Sequence, residues 1–390
     1  MTTTAIITQE TSIVDSQLEV IIPQKELVNA LSKIAVAISK RPVTPILANV
    51  KIEASESDVI LSATNLEVYA KVSCPSQVLA CGEITVNHKD LLALVKPLKK
   101  GLVRLHAQDS KLFIDCGPMH TELPTIDVDG YPCEPQPQTD FVEEKVTLPV
   151  ATFRQMVNAV APSAKAEYDP QTVFTGISTK LHNDKLTFAC ADSHRLHIMN
   201  EQIEGAGTWN ADWILPAKIL FDLLKKFPKN GDLSLFIKSP SFATLTCGNI
   251  TAHIRMIEGT YPNYEAIIPK KESLNISFSA SASTLLNALD IIAPIAKENS
   301  NITRLHLNGS LVVKSRRDTI DNFTEVQVEA KVTGEEAEMI YSHVFLQSVL
   351  KISPTSDIQF SCEGAKKACV MKLSELPGFM AVIMPMSPNA

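Results

Sequence analysis

Leu18-Glu-Val-Ile-Ile-Pro23 leads into Lys25-Glu-Leu-Val-Asn-Ala-Leu-Ser-Lys-Ile34, Val146-Thr-Leu-Pro149 into Ala151-Thr-Phe-Arg-Gln-Met-Val-Asn-Ala-Val160, and Leu274-Asn-Ile-Ser-Phe278 into Ser283-Thr-Leu-Leu-Asn-Ala-Leu-Asp-Ile-Ile292. Each time a short apolar strand gives way to residues whose apolar members recur at helical spacing. These are Leu27, Ala30, Leu31 and Ile34, then Phe153, Met156, Val157 and Val160, then Leu285, Ala288, Leu289 and Ile292. The anchors Leu27, Phe153 and Leu285 lie 126 and 132 residues apart. A repeat of that period determines architecture more firmly than a single motif does.

A second strand and helix follow within each unit: Ile84-Thr-Val-Asn-His-Lys-Asp-Leu-Leu-Ala-Leu-Val95, Trp213-Ile-Leu-Pro-Ala-Lys-Ile-Leu-Phe-Asp-Leu-Leu224 and Met339-Ile-Tyr-Ser-His-Val-Phe-Leu-Gln-Ser-Val-Leu350. Their anchors Leu91, Leu220 and Leu346 step by 129 and 126 residues. The stretches beginning at Val59, Lys185, Leu233 and Asp357 alternate apolar and polar residues, the pattern of half-buried antiparallel strands. Strands following strands with two helices per unit predict an α+β fold, helices on one face of each antiparallel sheet. Proline and polar residues gather at Tyr131–Asp140 and Pro269–Ser273. The expected organisation is a mobile tail at 1–16 and three domains at 17–140, 141–271 and 272–390.

At 390 residues, 45% hydrophobic and 20% charged, the chain has ample material for packed cores. The N-terminus lacks the basic and apolar regions of a signal peptide, and no run of about 18 apolar residues occurs, so a cytoplasmic protein away from membranes is expected. Eight scattered cysteines without a C-x-x-C pair read as reduced, mostly buried thiols.

A net charge of −7 argues mildly against nucleic acid until the charges are located. The six helical segments carry 16 basic and 5 acidic residues, a net +11, so the remainder of the chain carries −18. Such helices are suited to holding duplex DNA by its phosphates without reading sequence. The candidates are Lys25, Lys33, Lys40, Arg41, Lys89, Lys96, Lys99, Lys100, Arg154, Lys218, Lys225, Lys226 and Lys229. The third unit's helices add almost nothing.

Five motifs then stand in order: Arg41-Pro-Val-Thr-Pro-Ile-Leu-Ala-Asn49, Leu61-Ser-Ala-Thr-Asn-Leu-Glu67, Ala191-Asp-Ser-His-Arg-Leu196, Gly259-Thr-Tyr-Pro-Asn-Tyr264 before Ile268-Pro269, and Met384-Pro-Met386. With them the chain resembles the bacterial β sliding clamps, from about Leu18 to Met386. The resemblance implies three clamp domains and a head-to-tail homodimer closed into a ring, helices lining the hole. It implies a processivity factor that encircles double-stranded DNA and serves the replicative DNA polymerase, the clamp loader and repair proteins, associated with the nucleoid. Partner peptides would enter a pocket between the second and third domains. Here that pocket would comprise Phe174, Ala191, His194, Arg195, Leu196, Pro262, Ile267, Val382, Met384, Pro385 and Met386. The chain departs from the family pattern in Ser387-Pro-Asn-Ala390 beyond Met386, in Ala266 where arginine is frequent, and in Ser193 where glycine is usual. Tyrosines found near Thr172-Val-Phe174 in the family are absent, and Thr121 and Leu123 are less apolar than a typical dimer contact.

An enzymatic reading finds no phosphate loop, nucleophile elbow or H-E-x-x-H. His194 and His197 are spaced for opposite faces of a strand, and Cys362 and Cys369 miss zinc spacing. No catalytic residue, metal or cofactor is expected. The alternative is a divergent clamp paralogue that binds clamp partners without encircling DNA.

Overall fold

The computed structural model describes residues 18–39, 41–139, 141–166, 169–170, 172–316 and 323–387; the tail expected at 1–16 lies outside them. The chain gathers into two compact units. Among the described residues, the first takes in those within 18–139 with Lys226–Pro228 and Thr244–Ile254, and the second those within 141–225, Lys229–Ala243 and 255–387.

In the first unit, strand Glu19–Pro23 lies between Gln77–Ala80 and Leu102–Gln108, with Lys111–Cys116 and Met119–Ile126 beyond, all antiparallel. Gly82–Asn87, Asn49–Ala54, Val59–Thr64 and Val68–Cys74 form a second run that Ile250–Arg255 extends, and Thr85 and Val86 join it to Ile126 and Thr125. Helices α1 (Gln24–Ile34) and α2 (His88–Val95) pack together, turning Leu27, Leu31 and Ile34, and Leu91 and Val95, into the core. Tyr131 is buried, its hydroxyl donating to Ser62 O at 3.1 Å. Glu134 accepts from Lys71 and lies 2.8 Å from His253 Nε2. The start of the proline-rich stretch is thus fastened to its own sheet.

In the second unit, nine antiparallel strands run in the order Trp213–Pro216, Gly176–His182, Lys185–Ala191, Arg195–Gln202, Leu376–Ile383, Cys369–Leu373, Asp357–Cys362, Ile276–Ser281 and Lys331–Thr333. Repeats two and three therefore share one sheet, joined where Arg195–Met199 pairs with Phe379–Ile383. Glycine is required at that seam, because a Cβ on Gly378 would collide with the carbonyl of Asn200. Thr324–Val328, Leu311–Ser315, Ile302–Leu307 and Ala337–Ser342 make a separate four-stranded sheet. The helices are α3 (Val150–Val160), α4 (Ala217–Leu224), α5 (Ala282–Glu298) and α6 (His343–Leu350), with α3 against α4 and α5 against α6.

The repeat extends to single hydrogen bonds. The first amides of α1, α3 and α5 (Gln24, Val150 and Ala282) donate to Gly101, Gly231 and Ser356 carbonyls, each at 2.9 Å. Each bond satisfies a donor that a helix N-terminus leaves without an intrahelical partner. One helix outruns its sequence pattern. Its periodicity ends at Ile292, yet α5 continues through Pro294, because the added turn buries Ala296 and Ala296 O accepts the amides of Asn299 and Asn301. In α3 the equivalent proline, Pro162, falls in the 3-10 turn that closes the helix.

Candidate functional site

The seam in the second unit brings several of the candidate peptide-site residues together. Asp192 Oδ1 accepts the amides of His194 and Arg195, both at 3.1 Å, closing a turn whose apex, Ser193, has φ +80°. Serine holds that left-handed conformation under strain where glycine is free. Ile383 pairs with Arg195, so the next residue extends the ladder: the Met384 amide donates to His194 O at 2.8 Å. The Met386 amide then donates to Ile340 O at 2.8 Å, which pins the Met384-Pro385-Met386 segment to both repeats.

Beneath it Ala189, Ala191, Leu196, Ile198, Tyr264 and Val382 form an apolar cluster, with Phe174, Tyr261, Ile268, Ala368 and Met380 packed against it. Tyr261 is set by the Ala191 amide, which donates to its hydroxyl at 2.9 Å, and Phe174 meets Tyr261 edge-on at 5.9 Å. Above it Ile267 is 53% and Met384 44% exposed, and Pro262 and His194 are also exposed. Leu196 and Val382 are buried floor, while Arg195 is a brace. Its Nε donates to Asp192 at 2.8 Å, its Nη1 to Ser348 Oγ at 3.0 Å, and its guanidinium lies 4.4 Å from the Phe345 ring centre. His194 stacks on the same ring at 6.3 Å. The arrangement offers apolar anchoring above a braced floor, with backbone and aromatic groups to orient a ligand.

Sequence reasoning missed Tyr261, Tyr264, Ile268, Phe345, Ser348, Ala368 and Met380. The two tyrosines stand inside a quoted motif and were within reach of it; Phe345 and Ser348 on α6 carry no local signal. Ala266 is exposed, Thr121 and Leu123 are half-buried, and Phe174 sits on the 3-10 turn Thr172–Thr175.

The basic candidates sort by unit. In the first, Lys25, Arg41, Lys89, Lys96, Lys99 and Lys100 are exposed and have no ion-pair partner among the described residues, and Lys33 donates to the neutral Asn249 Oδ1 at 2.7 Å. Lys226 belongs to this unit, where burial holds His88 below the usual histidine range and the Lys226 charge acts in the same direction. In the second unit Arg154 donates to Leu224 O, and Lys218 and Lys225 both reach Asp222 at 2.8 Å, leaving Lys229 exposed. Burial would raise the Asp222 carboxyl, but hydrogen bonds from the two lysines hold it below the usual carboxylate range. Lys40 lies outside the described residues.

Among the described residues no three His, Cys, Asp or Glu side chains gather as a metal group, and no helix is long and apolar enough to cross a membrane. His197 is wholly buried with Nδ1 2.9 Å from Ala159 O, away from exposed His194. Five of the eight free cysteines are buried.

Three strand–helix repeats built on antiparallel sheets define a protein of the sliding-clamp class. The chain belongs to the DNA polymerase III beta subunit family, matching its N-terminal domain at residues 18–135, its central domain at 147–263 and its C-terminal domain at 265–387. The beta sliding clamp of Staphylococcus epidermidis is 24% identical over 380 residues, covering 94% of this chain and 99% of that one. That of Bacillus subtilis is 23% identical over 382 residues, covering 93% and 98%. The crystal structure of the Bacillus subtilis DNA polymerase sliding clamp superposes with TM-score 0.88 at 20% identity, over 95% of this chain and 100% of that one. The Pseudomonas aeruginosa clamp bound to griselimycin gives 0.87 at 19% identity, over 95% and 100%.

Proposed function

We propose that this chain is a processivity clamp: a head-to-tail dimer that closes around duplex DNA and tethers the replicative polymerase, the clamp loader and repair proteins through short peptides. The observation that carries the reading is the match of three consecutive family domains along residues 18–387. Ring closure needs two different complementary ends on each protomer, since only a heterologous contact that closes gives a ring. Retention then comes from linkage. Phosphate contacts by Lys25, Lys33, Lys40, Arg41, Lys89, Lys96, Lys99, Lys100, Arg154, Lys218, Lys225, Lys226 and Lys229 need only centre the duplex, because strong contacts would oppose sliding.

The seam supplies the docking function in this reading. A peptide laid across exposed Ile267 and Met384 would place apolar side chains over Phe174 and the Tyr261–Tyr264 pair. Met384 and Met386 suit several partners, because the flexible, polarisable thioether adapts its shape. Light scattering across a concentration series tests the assembly. The expected species has about twice the 42.6 kDa chain mass; a monomer at every concentration would contradict ring formation and favour the non-encircling alternative.

A further inference from the structure

Aligned by their shared start, the second helices of the three repeats present one stripe differently, its middle residue half-buried in α4 and α6. In α2 it reads Lys89, Ala93, Lys96; in α4, Lys218, Asp222, Lys225; in α6, Val344, Ser348, Lys351. These positions, i, i+4 and i+7, lie on one helix face, so the middle residue neighbours both flanking side chains. In α4 that middle residue is an acid, and its carboxylate bridges both lysines at 2.8 Å. In α2 it is alanine, and both lysines are left to solvent. In α6 the first lysine is replaced by Val344, 47% exposed, and Lys351 donates to Gln347 Oε1 at 3.3 Å. The partner helices follow the same order. Exposed Lys25 lies on α1, whereas α5 exposes Asp290 and Ile291 and, in its last turn, Lys297 beside the acidic Glu298, with Asp290 accepting from Gln347 at 2.6 Å.

We propose that the three repeats grip duplex DNA unequally, the α1–α2 pair making most of the phosphate contacts, and that the middle stripe residue sets the grip of each second helix. The inference rests on the DNA-holding reading above and goes beyond it by ranking the surfaces. A lysine already bridged by a carboxylate exchanges one anion for another when it meets phosphate, so it releases fewer counterions on binding. Asp222 thus weakens the second repeat as a contact surface, and the third repeat's helices, with two basic and two acidic residues, give the duplex a face that does not hold it.

The test is fluorescence anisotropy of a labelled short duplex with the full chain over a salt series, comparing slopes of log affinity against log salt. Lys89→Ala/Lys96→Ala should make the slope shallower by about 2, at about 0.9 for each phosphate no longer neutralised. Asp222→Ala, which recreates the α2 stripe in α4, should steepen it by about 1 or more and tighten low-salt binding several-fold. Lys297→Ala in the third repeat should change nothing. An unaltered slope for Asp222→Ala, or an equally shallow slope for Lys218→Ala/Lys225→Ala, would overturn the ranking while leaving the DNA-holding reading intact. A wild-type chain whose duplex binding did not depend on salt would remove both.

Discussion

Ser193 is one of the residues at which the fold departs from what a side chain's backbone favours. Its φ of +80° closes the turn that presents His194 and Arg195, and the first repeat builds the same turn, with Asn65 Oδ1 accepting from Glu67 and Val68 and Leu66 at φ +74°. Ser193→Gly should stabilise the chain by about 0.5–1 kcal/mol by relieving left-handed strain, read as a higher denaturant midpoint with unchanged slope. A second residue, the buried His197, couples stability to acid pH. Burial, opposed by the bond to Ala159 O, lowers the His197 pKa to about 4. A depressed histidine contributes its stability in full above the unfolded value near 6.5 and loses it as pH falls toward 4. The unfolding free energy should therefore drop by roughly 3 kcal/mol across that window. His197→Asn, which keeps a donor toward Ala159 O, should flatten the drop, as measured by denaturant titrations at several pH values.

At the scale of elements, the sequence announced its helices and hid its seam. Apolar spacing placed α1 and α3 to within one residue at their starts, because their buried faces are the same residues that make the pattern. It stopped α5 at Ile292, because the turn beyond Pro294 is held by one buried alanine and loop amides, neither of which has a period. Part of the seam cluster was legible in the sequence. Phe174, Ala191, Leu196 and Val382 do meet in one cluster, whereas the bracing of Arg195 by Phe345 and Ser348 spans 150 and 153 residues and leaves no local trace. Lysine counts placed the charge on helices but could not show that Asp222 engages two of them. The terminal segment is where a deletion speaks most directly. Removing residues 384–390 takes away the rungs to His194 O and Ile340 O and should abolish peptide binding while preserving the thermal transition. Isothermal titration with a partner-derived peptide checks it, and retained affinity would put the docking site elsewhere.

At the scale of the molecule, an acidic chain holds DNA in this account because its charge is sorted: a net +11 on the helical segments against −18 elsewhere. Modest phosphate attraction with topological retention predicts a protein that is mobile on DNA yet hard to lose from it. The direct measurement is retention, after loading, on nicked circular duplex compared with the same duplex linearised. A clamp that encircles the duplex should persist on the circle and be lost within moments of cutting. Equal retention on both forms would contradict it, since a protein that binds without encircling has no reason to distinguish them.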